Sequence, residues 1–138
     1  MPILRYRTRD LTRILPEPCP CGRTHRRLSR IAGRADDMLI VRGVNFYPQQ
    51  IERVLMGFSG LGRNYQIQLS GIDELTVRVE LAAAAFDGKV EHLMRLQEAV
   101  TDKIRSEIQV RPKVELVSPG TLPVSEGKAK RVVDQRTL

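Results

Sequence analysis

Apolar positions recur along this chain with two different periods. Tyr65, Ile67 and Leu69 alternate with polar residues, and so do Leu75, Val77, Val79 and Leu81 beyond the turn-forming Gly71-Ile72-Asp73. Period two marks a half-buried strand, so 65–70 and 75–81 read as a hairpin. Val90, Leu93, Leu96, Val100, Ile104 and Ile108 instead share one face at the helical period, which predicts a helix over 89–108 with Asp87 as its N-cap. A shorter helix is predicted over 48–57, with Ile51, Val54, Leu55 and Phe58 as its apolar face. Pro48 suits its first position, where a missing N–H costs nothing. Phe46 and Ile51 are spaced as a hydrophobic staple, and Gln50 stands where a capping box wants Glu or Gln. Gly57 and Gly60 are sensible stops. Shorter apolar runs predict strands at 3–8, 10–15, 28–31, 38–41 and 114–116. Residues 118–138, with two prolines, two glycines and no sustained period, read as a mobile loop followed by a short strand or turn.

The resulting order, a lead-in strand followed by helix, strand, strand, helix, strand, fits an α+β fold. Helices would pack on one face of a small, mainly antiparallel sheet. A chain of 138 residues, 41% apolar and 28% charged, can bury an ordinary core. No run is long enough to span a membrane, and no secretory leader stands at the start, so a cytoplasmic setting is expected. All of the +7 formal charge resides in residues 1–34, where nine arginines face two acids; the remainder balances fourteen against fourteen. A basic arm on a neutral domain is a common nucleic-acid layout. The aromatic platform that single strands require is lacking, which makes nucleic acid an unlikely partner. The other readings are a solvated Arg-rich edge, or arginines that face the rest of a larger protein. Cys19 and Cys21, with one residue between them, would form a strained disulfide. The string CPCG resembles half of a zinc knuckle with His25 as a third ligand, but a structural zinc wants four. Free thiols are the favoured reading, with no metal site assigned.

The densest local signal is GRADDMLIVRGVNFYPQQIE, residues 33–52. A polar entrance (Gly33, Arg34, Asp36, Asp37) leads into the apolar strand Met38–Val41. Arg42-Gly43 breaks that strand, and Pro48 opens the helix. This stretch resembles the hinge region of the adenylate-forming acid–CoA ligases, most closely the phenylacetate–CoA ligase branch. Gly33, Arg34, Asp36, Asp37, Arg42, Gly43, Asn45, Pro48, Ile51 and Glu52 all match its pattern. Two further strings resemble motifs of the same family, in the expected order. Tyr6-Arg7-Thr8-Arg9-Asp10 is similar to the motif whose final Asp grips the nucleotide ribose, with Arg9 where the widespread form has Gly. Pro123 with Gly127-Lys128 is similar to the C-terminal motif that presents a catalytic lysine.

The resemblance implies a two-step reaction: a carboxylate and ATP give an acyl-adenylate, and coenzyme A then gives the thioester. It implies ATP/AMP, CoA and Mg2+ as cofactors in the full-length enzyme. It implies Lys128 as the catalytic cation, Asp10 and Arg34 as nucleotide ligands, and Asp36 as the hinge. Arg42, Gly43 and Asn45 would lie at the CoA face. Residues 1–34 would be the end of the N-terminal adenylating domain and 35–138 a C-terminal mobile lid. The phosphate loop and acid pocket are not among these residues, so the isolated chain is expected to be inactive. The strands of 1–34 should have exposed or re-paired edges, which leaves a homo-oligomer open. The alternative is a stand-alone α+β domain that binds a small ligand or nucleic acid.

Overall fold

Leu61–Ser70 and Glu74–Leu81 form the central hairpin of a four-stranded sheet, and the core is built on their alternation. Tyr65, Ile67 and Leu69 on one strand and Leu75, Val77, Val79 and Leu81 on the other are buried. The pairing sets Tyr65 against Val79, Ile67 against Val77 and Leu69 against Leu75, with an irregularity between Leu61 and Tyr65. The structure, a computed structural model, describes residues 4–83, 89–124 and 130–136. It divides into two compact units, Met1–Met38 and Leu39–Leu138.

In chain order the first unit holds β1 (Asp10–Leu11), β2 (Ile14–Leu15), β3 (Arg27–Leu28) and β4 (Gly33–Arg34), then a 3-10 turn at Ala35–Asp37. The second holds β5 (Leu39–Val41), β6 (Val44–Phe46), α1 (Pro48–Met56), β7 (Leu61–Ser70), β8 (Glu74–Leu81), α2 (Val90–Ile108), β9 (Lys113–Val117) and β10 (Val132–Asp134). The main sheet runs β10-β7-β8-β9. Its centre is antiparallel, and both flanking pairs are parallel. The three two-stranded ladders, β1 with β4, β2 with β3 and β5 with β6, are antiparallel. This is the expected α+β class, with the edge-strand directions added.

The start of α1 forms as its residues dictate. Gln50 Oε1 accepts the Tyr47 N–H at 2.8 Å, and the Gln50 N–H donates to the Tyr47 carbonyl at 2.9 Å. This is the glutamine half of a capping box. The tyrosine side chain itself caps nothing. Phe46 and Ile51 are both buried beside it. Helix α2 buries only its second half, through Val100, Ile104 and Ile108. Val90 is 68% and Met94 64% exposed. Its expected N-cap, Asp87, lies outside the described residues.

One expected strand is missing: residues 4–8 form none, because no strand partner lies alongside among the described residues, and pairing begins at Asp10. The short strand expected after the loop at 118–138 is present as β10, which pairs with β7, while Leu122 within the loop is buried, where the sequence predicts a mobile loop. Isolated apolar residues such as Leu122 and Val132 carry no period, so only tertiary packing reveals them.

Candidate functional site

In the first unit the β1–β4 ladder sets Asp10 directly opposite Arg34. The Ala35 N–H donates to the Arg9 carbonyl at 2.7 Å and extends this clasp. The Arg34 guanidinium turns onto Asp36, its Nε donating to Oδ1 at 2.9 Å and its Nη2 to Oδ2 at 2.8 Å. Arg9 Nη1 lies 3.6 Å from the same carboxylate. Such a fork is the strong form of the charged hydrogen bond. The Arg34 fork holds the Asp36 pKa down at about 2, with Arg9 adding to the effect, and Arg34 is pushed further above its ordinary value. Asp10 is half-buried, and its carboxylate accepts no hydrogen bond among the described residues. It faces a depression of about 540 Å³ that Arg7, Thr8, Arg9 and Asp36 also line. The first unit therefore brings together Asp10, Arg34 and Asp36, leaving one carboxylate open and engaging the other two groups with each other.

The second unit carries Arg42, Gly43 and Asn45 on the β5–β6 hairpin. Val41 pairs with Val44, so Arg42 and Gly43 are the whole loop. Their φ angles are +51° and +74°, the two positive values that a tight hairpin turn of the right twist demands. Gly43 is therefore required by its backbone conformation. The space around it is open: a Cβ there would meet nothing within 4 Å. The Arg42 N–H donates to Asp73 Oδ1 at 2.8 Å, tying the tip to the β7–β8 turn. Arg136 Nη1 donates to the Ile40 carbonyl at 2.6 Å while forking onto Asp134. Asn45 is exposed beside Ile40, its partner across the ladder. Lys128 lies outside the described residues.

Sequence reasoning passed over the groups that flank the lysine motif. Glu80 is 9% exposed. Its Oε1 accepts the Leu122 N–H at 2.8 Å and the Asn64 amide at 3.1 Å. Burial opposes its ionisation, yet the amides of Leu122, Gly120 and Thr121 and the Asn64 side chain hold its pKa below the ordinary carboxylate value. On the other flank, the Arg131 guanidinium pairs with Glu52, donates to the Tyr65 hydroxyl at 3.1 Å and lies 4.5 Å from the centre of that ring. Locally Glu80 reads like Glu74, Thr76 and Arg78, the other polar residues of the strand, yet those three are exposed or half-buried and Glu80 alone is buried.

The chain is similar to known proteins along its whole length. The AMP-binding enzyme C-terminal domain family matches residues 43–136. The chain is 41% identical to the phenylacetate–coenzyme A ligase of Escherichia coli over its whole length, covering 32% of that protein. It is 43% identical to the enzyme of the same name from Thermus thermophilus, over 99% of this chain and 34% of that one. It thus spans about a third of the length of these relatives. Among solved structures, a 2-hydroxyisobutyryl-CoA ligase in the postadenylation state superposes with a TM-score of 0.81 at 37% identity, over 94% of this chain and 28% of that one. A domain of a phenylacetate–coenzyme A ligase from Bacteroides vulgatus gives 0.66 at 42% identity, over 75% of this chain and 96% of that one. No helix among the described residues is long and apolar enough to cross a membrane. The family model covers residues 43–136, most of the second unit, and the chain belongs to the family of AMP-binding enzyme C-terminal domains.

Proposed function

We propose that this chain is the C-terminal part of an AMP-forming acid–CoA ligase of the phenylacetate–CoA ligase type. Such an enzyme activates an aryl carboxylate with ATP and passes the acyl group to CoA. The observation that carries the reading is the 41–43% identity to phenylacetate–coenzyme A ligases along essentially the whole chain. In this reading the open carboxylate of Asp10 accepts hydrogen bonds from the two ribose hydroxyls of the nucleotide, as acidic residues do in dinucleotide folds. Arg34 contacts the ribose or phosphate side, for which it must share or leave its fork with Asp36.

Asp36 sits in the 3-10 turn just before the division between the units at Met38 and Leu39. That position supports its assignment as the residue that absorbs the backbone rotation between half-reactions. Lys128 supplies the positive charge that offsets the anionic build-up during adenylation. The hairpin tip at Arg42-Gly43, with Asn45 beside it, faces the pantetheine arm of CoA in the second half-reaction. The Mg2+ that accompanies ATP in this chemistry is assigned, as the family resemblance implies, to the rest of the adenylating domain.

The test is pyrophosphate release and thioester formation by the full-length ligase that contains this chain, across a panel of carboxylic acids. Turnover of phenylacetate or a close aryl acid, with AMP as the nucleotide product, is the expected result. A product of ADP, or thioester formation without ATP, overturns the reading.

A further inference from the structure

The loop between β2 and β3 has no part in the chemistry above, yet it gathers two thiols at its tip. Ile14 pairs with Leu28 and Leu15 with Arg27 at its base, and the Arg27 guanidinium donates to the Pro18 carbonyl at 3.1 Å. Above that neck the Gly22 N–H donates to the Cys19 carbonyl at 3.0 Å. This closes a β-turn with Pro20 at its second position and Gly22 at its fourth, where those residues are favoured. The turn folds the two side chains onto one another. Both cysteines are free, and the Cys19 and Cys21 sulfurs meet across the turn. The Arg23 guanidinium reaches Cys21 Sγ at 3.4 Å. Cys21 is exposed and Cys19 half-buried. The Cys21 pKa is drawn below the ordinary thiol value by the Cys19 thiol first, and then by the backbone N–H and guanidinium of Arg23. Thiolate character, exposure and an adjacent resolving thiol are the marks of a redox-active cysteine.

We propose that Cys19 and Cys21 form a reversible dithiol modification site, closed to an intrachain disulfide by hydrogen peroxide. The Cys21 thiolate attacks one peroxide oxygen and the O–O bond breaks. The departing hydroxide takes a proton and leaves as water, and Cys21 is left as a sulfenic acid. Cys19 Sγ then attacks the Cys21 sulfur, the S–O bond breaks, and the leaving hydroxide carries away the Cys19 proton as a second water. Two electrons pass from the two sulfurs to one peroxide. A ring closed over a single intervening residue is strained, and exposed, strained disulfides are the ones that thiols reopen. The site is therefore read as a switch that a dithiol reductant resets.

The chain is treated with hydrogen peroxide and its intact mass is read under non-reducing conditions. A monomer lighter by about 2 Da is expected, the loss of two hydrogens on disulfide formation. Both thiols should become unreactive to iodoacetamide together and return together with dithiothreitol, and no dimedone adduct should accumulate. Cys19→Ser should trap the intermediate as a dimedone adduct on Cys21, and Arg23→Gln should slow the oxidation severalfold. Wild-type protein that accumulates a dimedone adduct or sulfinic acid overturns the proposal, as do intermolecular dimers. So do thiols that stay alkylatable after peroxide, or thiols shielded by bound zinc until a chelator removes it.

Discussion

Two carboxylates carry the most testable electrostatics of the molecule, and their settings differ. Asp36 is held by the Arg34 fork on the protein surface. With its pKa lowered to about 2, it stays ionised as pH falls below the ordinary value for Asp. Any stability it contributes is fully present above pH ~4 and is lost as pH falls through the lowered value. A carboxyl-carbon NMR titration should place its midpoint near 2, and Arg34→Gln should return it toward the unperturbed 3.8. An unchanged midpoint in that variant would show the fork to be absent in solution. Glu80 is enclosed, and its hydrogen bonds come mainly from backbone amides. Its pKa is also lowered, so its contribution is complete above the ordinary glutamate range and disappears on acidification below it. Replacing a charged acceptor of several donors costs about 1.5–3 kcal/mol. Glu80→Gln should lower the denaturant midpoint accordingly and raise the exchange rate of the Leu122 amide above that of β7 amides. Equal protection of Leu122 in both proteins would show that its burial alone anchors the loop.

Among the elements, the β5–β6 hairpin depends most on a single backbone conformation. Its two loop residues both have positive φ, and a residue with a Cβ in that region costs about 1–2 kcal/mol. Gly43→Ala should therefore destabilise the second unit by that amount through strain alone, since no atom lies within 4 Å of the new methyl. Arg42→Asn should offset part of the loss, because Asn tolerates the left-handed region. Thermal melts of the single and double variants would check the pair. Destabilisation well beyond this range would mean that the tip is packed against something in solution.

For the whole molecule, the proposed division of labour predicts opposite defects at two residues. In the full-length ligase, Lys128→Ala should slow acyl-adenylate formation by roughly a hundred- to a thousandfold, since one preorganised contact supplies ~3–4 kcal/mol. Given pre-formed acyl-adenylate and CoA, it should make thioester at a nearly normal rate. Its melting temperature should barely move. Gly43→Leu should do the reverse, keeping adenylation and losing thioester formation, after correction for the strain measured with Gly43→Ala. Half-reaction rates for both variants decide the matter. A Lys128→Ala enzyme slowed equally in both halves would show that the lysine is structural or shared between states.

Much of this architecture is local in origin and is legible in the residues themselves. Alternation in 65–70 and 75–81 imposes a hairpin with one buried face, because a slip of one residue would turn every apolar side chain outward. Pro48, Gln50 and the Phe46–Ile51 staple define the start of α1 without help from distant residues. The motif strings around Asp10, Gly33–Glu52 and Lys128 are likewise contiguous, so they could be recognised before any fold was known. What the sequence could not disclose are pairings between residues far apart in the chain. The parallel attachment of β9 and β10, the burial of Glu80 beneath the Leu122 amide and the Arg131–Glu52–Tyr65 cluster each join segments many residues apart. The same holds for Arg42-Gly43, which reads locally as a break in a strand and proves to be the turn of a hairpin. Periodicity reports which face a residue presents. Only tertiary structure decides which partner meets that face, because the partner is chosen by packing and by the need to satisfy each buried polar group.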